Sequence, residues 1–190
     1  MAKVTMIGKG NMGQAIGDVF KQGGNQVTYL GHDDAVTDLG DIVVLAVPYP
    51  AAISIAKANQ AALAHKVVVD ITNPLNYETW DELVVPADGS AAAEIAALLP
   101  ASQVVKAFNT TFAATLQSRK VGTATTTVLA ASDSDTAKQQ LATALTDSGV
   151  VFVDAGSLKR AREMESIGFL QMTLAANEKI GWTGGFGLMK

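Results

Sequence analysis

Six residues near the start of the chain, Gly8-Lys9-Gly10-Asn11-Met12-Gly13, have the spacing G-x-G-x-x-G. Glycines so placed suit a backbone that wraps a pyrophosphate. Gly8 permits the tight turn, Gly10 admits close approach of the anion, and Gly13 lets a helix pack on a strand. The N–H groups at the start of that helix then face negative charge. The spacing alone is unspecific, but between an apolar run and an amphipathic helix it points to a dinucleotide site. Val4-Thr5-Met6-Ile7 is that run, and Met12, Ile16, Val19 and Phe20 mark the apolar face of the helix that follows.

The other candidate site residues lie where later apolar runs end. The second run ends at Gly31 and His32, and the third at Ala46, Val47, Pro48 and Tyr49. The fourth ends at Thr72, Asn73 and Pro74, and the fifth at Phe108, Asn109 and Thr110. In an open parallel sheet, ligands bind outside the carboxyl ends of the strands. Pro48 and Pro74 stop their strands and hold the preceding residue extended. Thr72, Asn73, Asn109 and Thr110 offer neutral hydrogen-bonding groups for a nicotinamide, while Lys9 and His32 are placed for the phosphates and the ribose. Each such residue alone is an ordinary loop residue; clusters on successive strand tips make a site.

Groups for acid–base chemistry are few. His32 and His65 are the only histidines, and His65 precedes its strand, at the wrong end of the sheet. Asp70 closes a buried strand and reads as a structural hydrogen-bonding group. There is no Ser-His-Asp arrangement and no metal-ligand spacing, so no catalytic side chain and no metal are assigned. That pattern suits direct hydride transfer between two cofactors, where the protein supplies orientation and keeps water out.

The elements that must position these residues alternate along the chain. Runs rich in Val and Ile at residues 4–7, 26–30, 42–47, 66–71, 104–108, 125–130 and 150–153 predict strands buried on both faces. Alanine-rich or amphipathic stretches at 11–22, 51–63, 90–99 and 136–147 predict helices, with Asp133 or Ser134 capping the last and Gly149 ending it. The alternation predicts an α/β fold, a doubly wound, mostly parallel sheet with helices on both sides. Residues 158–177 predict one further long helix, a small C-terminal helical extension. Only residues 32–40 separate the second strand from the third. A parallel crossover needs about a dozen residues, so that helix should shrink to one turn at most, over 34–39, and leave the adenosine end open. The expected division is a dinucleotide-binding domain over residues 1–155 and a helix and tail over 156–190, packed on the same domain or on a partner subunit.

Composition narrows the class. Of 190 residues, 48% are hydrophobic and 17% charged, which suits a globular protein with a substantial core. The absence of cysteine removes disulfides and thiol catalysis and fits a cytoplasmic setting. A net charge of −4 argues against nucleic acid or an anionic membrane as partner, and no apolar stretch is long enough to span a bilayer.

Five stretches carry a resemblance: M-I-G-K-G-N-M-G, L-A-V-P-Y, V-V-V-D-I-T-N-P-L, V-V-K-A-F-N-T and D-A-G-S-L-K-R-A-R. Together they resemble the NADP oxidoreductases dependent on the 8-hydroxy-5-deazaflavin coenzyme F420, from the first strand through the C-terminal helix. The resemblance implies a Rossmann fold with a small C-terminal extension, a homodimer, and hydride transfer between NADPH and a deazaflavin or flavin as the small-molecule acceptor. In that family the second strand ends in a serine followed by arginines that hold the 2′-phosphate of NADP. Here Gly31, His32 and Asp33 stand there. An acid after the glycine loop favours NAD, whereas Lys9 and a protonated His32 favour NADP, which is the expected cofactor. Two alternatives are a non-catalytic dinucleotide-binding or sensing module, and a small imine or carbonyl reductase similar to pyrroline-5-carboxylate reductase. The tail, with Trp182 and Phe186 among glycines, is expected to cover the acceptor side of the nicotinamide.

Overall fold

The apolar runs become strands and the amphipathic stretches helices in the computed structural model, which describes residues 1–189. In chain order these are β1 Lys3–Ile7, α1 Asn11–Gln22, β2 Gln26–Leu30, β3 Ile42–Leu45, α2 Tyr49–Ala58, α3 Gln60–Leu63, β4 Val67–Asp70, α4 Ala91–Leu98 and β5 Gln103–Ala107. They continue as α5 Ala113–Ser118, β6 Lys120–Val121, β7 Ala124–Thr125, β8 Thr127–Ala131, α6 Asp135–Ala144, β9 Val151–Gly156 and α7 Ala161–Ala176.

Seven strands form one sheet in the order β2-β1-β3-β4-β5-β8-β9. The first five run parallel, β5 meets β8 antiparallel, and β8 and β9 are parallel to each other. The chain moves to one side from β1 to β2 and crosses back to β3, so the switch point lies above β1 and β3. That is where a doubly wound sheet of the Rossmann type opens a crevice. Every residue of β3 and β4 is buried, because helices cover both faces. One core lies under α1 and α6 around Phe20, Phe108 and Leu141. The other lies under α2 and α4 around Leu45, Leu63 and Ile95.

Residues 34–39 form bends with no helical turn, within the expected limit of one, and Asp38 takes φ of 52°, outside the helical region. Two sequence expectations are corrected. The helix expected over residues 51–63 breaks at Asn59 into α2 and α3, where the Asn59 amide donates to the Ile55 carbonyl at 2.9 Å and competes with the backbone ladder. The C-terminal helix starts with a 3₁₀ turn at Leu158–Arg160 before α7, because Asp133 draws the Leu158 N–H at 3.0 Å. Helix α5 and the β6–β7 hairpin were not foreseen. Of the two proposed caps for α6, Ser134 does the work, accepting from the Ala137 N–H at 3.1 Å. Among the described residues no helix is long and apolar enough to cross a membrane.

Candidate functional site

The glycine loop joins β1 to α1 at the switch point. Gly8 sits at φ of 117°, and a Cβ there would strike the carbonyl of Ala46, just past the neighbouring β3. A Cβ on Gly13 would strike the Gly8 carbonyl, so this glycine lets the helix approach the loop. Gly10 is different: nothing stands within 4 Å of where its Cβ would be. It caps α1 without a side-chain hydrogen bond, leaving the first N–H groups of the helix facing open space. A cradle so shaped fits a pyrophosphate.

At the tip of β2 one carboxylate organises the loop, and it is Asp34. Its Oδ2 accepts from the Gly31 N–H at 2.6 Å and from the Lys9 ammonium at 2.8 Å. The Gly31 N–H first, and Lys9 second, hold the Asp34 carboxyl below the usual carboxylate range. Asp33 and His32 are exposed beside it. Lys9 is therefore paired, and about half of each partner's side chain stays in water.

Beyond the loop, a cleft of about 740 Å³ runs over the tips of β1, β3, β4 and β5 to the C-terminal segment. The expected residues Gly10, Asn11, Met12, Gly13, Ala46, Val47, Pro48, Tyr49, Thr72, Asn73 and Asn109 all line it. The remaining candidates do not. Gly8, Lys9, Gly31 and His32 shape the loop or the adenosine end. Thr110 is buried, and Phe108 is fully buried at φ of 63°, its ring against Phe20 in the core. Pro74 follows the lining residue Asn73 without lining the cleft itself.

The floor of the cleft is rigidly tied. Asn73 donates to the Asn109 carbonyl at 2.9 Å, and the Asn109 amide donates back to Asn73 Oδ1 at 2.9 Å and to the Met164 carbonyl of α7 at 2.8 Å. Gly168 of α7 has no Cβ where the Asn73 amide sits. Two buried oxygens of lining residues, Thr72 Oγ1 and Asn109 Oδ1, have no hydrogen-bond partner. Unpartnered buried acceptors are costly, and a carboxamide in the cleft would satisfy them. Both the open cradle and these oxygens fit a nicotinamide dinucleotide.

Beneath the floor lies a charged network that residue types alone did not reveal. Lys106, fully buried, reaches Asp70 Oδ2 at 2.8 Å, Glu165 Oε1 at 2.7 Å and the Thr72 carbonyl at 2.5 Å. Asp70 also accepts the Thr72 N–H at 2.9 Å. Glu165 accepts the Ala91 and Ala92 N–H groups at the start of α4, where a helix N-terminus favours negative charge. Burial pushes the Glu165 carboxyl up, and Lys106 opposes that shift. The readable signal was a lysine inside an otherwise apolar strand, register partner of Asp70 on β4.

The far wall is aromatic and thioether. Phe112 and Trp182 pack at 5.0 Å between ring centroids, with Met172 and Tyr77 beside the same space. Tyr77, Phe112 and Met172 escaped the sequence reading; Trp182 was expected there, from the tail. Gln171 anchors that tail by accepting the Phe186 N–H at 2.9 Å. The hydroxyl of Tyr49 donates to Glu94, and burial first, then that carboxylate, push it well above the usual phenol range.

The family model described as NADP oxidoreductase coenzyme F420-dependent matches residues 19–74. The F420-dependent NADP reductase of Methanocaldococcus jannaschii is 30% identical over 172 residues, covering 88% of this chain and 77% of that protein. A crystal structure of a candidate F420-dependent NADP reductase from an Arthrobacter species superposes over the full length of both chains with a TM-score of 0.87 at 22% identity. Plasmodium falciparum pyrroline carboxylate reductase, solved with NADP bound, shares the fold alone, with a TM-score of 0.56, 17% identity, and coverage of 80% of this chain and 57% of that one.

Proposed function

This chain belongs to the coenzyme F420-dependent NADP oxidoreductases, and on that premise we propose that it transfers a hydride between NADPH and a deazaflavin or flavin held against the nicotinamide. The observation that carries the reading is the single cleft that begins at the open glycine cradle and ends at an aromatic wall. When bound, NADPH supplies the hydride, and the oxidised ring takes it up with one proton from solvent.

The backbone of Gly10, Asn11 and Met12 holds the pyrophosphate. Ala46, Val47, Pro48 and Tyr49 flank the nicotinamide ribose, and Thr72, Asn73 and Asn109 fix the carboxamide. Lys9, Gly31 and His32 meet the adenosine end, with NADP preferred over NAD. Phe112, Met172 and Trp182 exclude water from the space above the ring, and residues 156–190 complete the cleft over the domain formed by residues 1–155. Holding two reactants in attacking geometry is the protein's main contribution. Reduction of a carbonyl would need a proton donor near the developing alkoxide. The Tyr49 hydroxyl is committed to Glu94, and among the described residues no histidine or acid lines the cleft. The outer face of α7, with Ile167 and Leu170 exposed, is where a second copy would pair.

The test is loss of reduced-nicotinamide absorbance with NADPH and a deazaflavin or flavin. Steady oxidation that requires both partners is expected. NADPH binding without turnover on any flat acceptor would leave a dinucleotide-binding module in its place.

A further inference from the structure

A lysine inside a covered strand is a costly choice for a fold. Desolvating its ammonium is unfavourable, and well-packed apolar residues commonly serve stability as well or better than a buried ion pair. Lys106 nevertheless stands fully buried as the fourth residue of β5. An ammonium has three N–H groups to direct, and their destinations are informative. Two reach carboxylates, Asp70 at 2.8 Å and Glu165 at 2.7 Å. The third reaches the backbone carbonyl of Thr72 at 2.5 Å, and Thr72 lines the cleft.

The same ion pair holds the other side of Thr72. The Thr72 N–H donates to Asp70 Oδ1 at 2.9 Å, while Oδ2 of that carboxylate takes Lys106. Both backbone polar groups of one residue are therefore fixed, and with them the direction of its Cα–Cβ bond. A β-branched side chain has little freedom left at χ1, so the backbone decides where the hydroxyl stands. Thr72 is 4% exposed, and its Oγ1 has no hydrogen-bond partner among the described residues. A buried hydroxyl in that state calls for a partner.

Helix α7 links this oxygen to a second one. Glu165 holds Lys106, and the carbonyl of Met164, the residue before it, takes the Asn109 amide at 2.8 Å. Asn109 Oδ1 is the other buried oxygen of the cleft lining without a partner among the described residues. Glu165 is itself anchored at the start of α4, accepting from the Ala91 and Ala92 N–H groups at 2.9 and 3.3 Å. Two consecutive residues of one helix thus set the separation of the two oxygens.

We propose that Lys106 is a positioning residue for hydride transfer: acting through the backbone of Thr72 it fixes the Thr72 hydroxyl that meets the nicotinamide carboxamide, and Glu165 holds that hydroxyl in register with Asn109. Lys106 touches no reactant. The inference rests on the hydride-transfer reading above and deepens it. The step itself is unchanged, with two electrons and one hydrogen passing from the reduced nicotinamide to the acceptor ring, which takes its proton from solvent.

The test separates binding of NADPH from orientation of its ring. The first variant combines Lys106→Met, Asp70→Asn and Glu165→Gln, which leaves no buried charge unpaired. Its NADPH dissociation constant should stay within about threefold of the native value, because the glycine cradle is untouched. Its single-turnover rate of NADPH oxidation, with saturating flavin or deazaflavin, should fall on the order of tenfold to a hundredfold, as a small misplacement suffices for that. The fluorescence anisotropy of bound NADPH, read without acceptor, should fall as well. Thr72→Val should reproduce the rate loss, and adding it to the first variant should cost no more than about a further twofold, since both changes act on one hydroxyl. Should the triple variant fail to fold, Glu165→Gln alone decides, with an expected rate loss of about fivefold at unchanged affinity. Native rate and anisotropy in these variants, or rate and affinity falling together with fully additive losses, would overturn the inference and leave the hydride-transfer reading standing. Lowered anisotropy in the variants, with no turnover in the native protein, would instead remove that reading and keep Lys106 as the residue that orients the ring.

Discussion

The two ends of the cleft are built by opposite means. The adenosine end is a short exposed loop with no helix behind it, organised by one half-solvated ion pair between Lys9 and Asp34. At the other end lies a floor where Asn73 and Asn109 are tied to α7, above a fully buried network in which Lys106, Asp70 and Glu165 join β4, β5 and the same helix. Exposed pairs are screened and contribute little. Buried ones are costly to break and fix geometry in the process. On the proposed function, rigidity is concentrated where two rings would meet, and the end that would only tether the cofactor is left loose. Cofactor preference should accordingly be easy to change, and orientation hard.

The comparison breaks most visibly at Lys106. Lys106→Met strands two buried carboxylates, and the unfolding free energy should drop by about 3–5 kcal/mol in urea titrations. Lys9→Ala, at the other end, should leave the same curve unmoved. Equal losses in the two variants would erase the distinction drawn here.

Gly10→Val comes next. Nothing surrounds the added side chain, so the fold and its melting temperature should stay as they are. NADPH affinity should fall by about a hundredfold as the pyrophosphate loses its approach. A folded variant with native affinity would show that the cradle is not the site.

Removal of residues 181–190 should raise the acceptor KM by about tenfold through loss of Trp182, with NADPH affinity changed by less than about twofold. Lys190 belongs to this deletion but lies outside the described residues. Wild-type turnover would make the tail a mere end of the chain.

The smallest effects belong to the loose end. Asp34→Asn releases Lys9 and should improve NADPH over NADH by about two- to fivefold in competitive titration, in keeping with an exposed pair. The lowered Asp34 carboxyl keeps its ties to Gly31 and Lys9 intact above the ordinary carboxylate range, and they are lost only as pH falls through that lowered value. An unchanged cofactor preference in Asp34→Asn would show that this pair does not set it.

Sequence reading reached the strands most surely where burial was continuous. Val43-Val44-Leu45 and Val67-Val68-Val69 could only be central strands of a covered sheet, and they are. It reached the glycine loop because each glycine there answers a local steric demand. It stopped at charges. A lysine in a strand normally marks an exposed position; the apolar run around Lys106 signals burial instead, but nothing in V-V-K-A-F reveals its partners. They appear only once Asp70 arrives from β4 and Glu165 from α7. Asp33 and Asp34 are adjacent and chemically identical; the bends after β2 decide which one meets Gly31 and Lys9.

By itself, then, the order of residues determined what depends on near neighbours: the period of each strand and helix, the tight turn at Gly8, the missing crossover helix, and with them a dinucleotide fold. The tertiary structure decided what depends on distant segments meeting. Tyr77, Phe112, Met172 and Trp182 come from four separate parts of the chain, and no local pattern announces a shared wall. Steric rules act within a few residues and can be read along a line. Ion pairing and shape complementarity act through space, and the crossovers choose which residues share it.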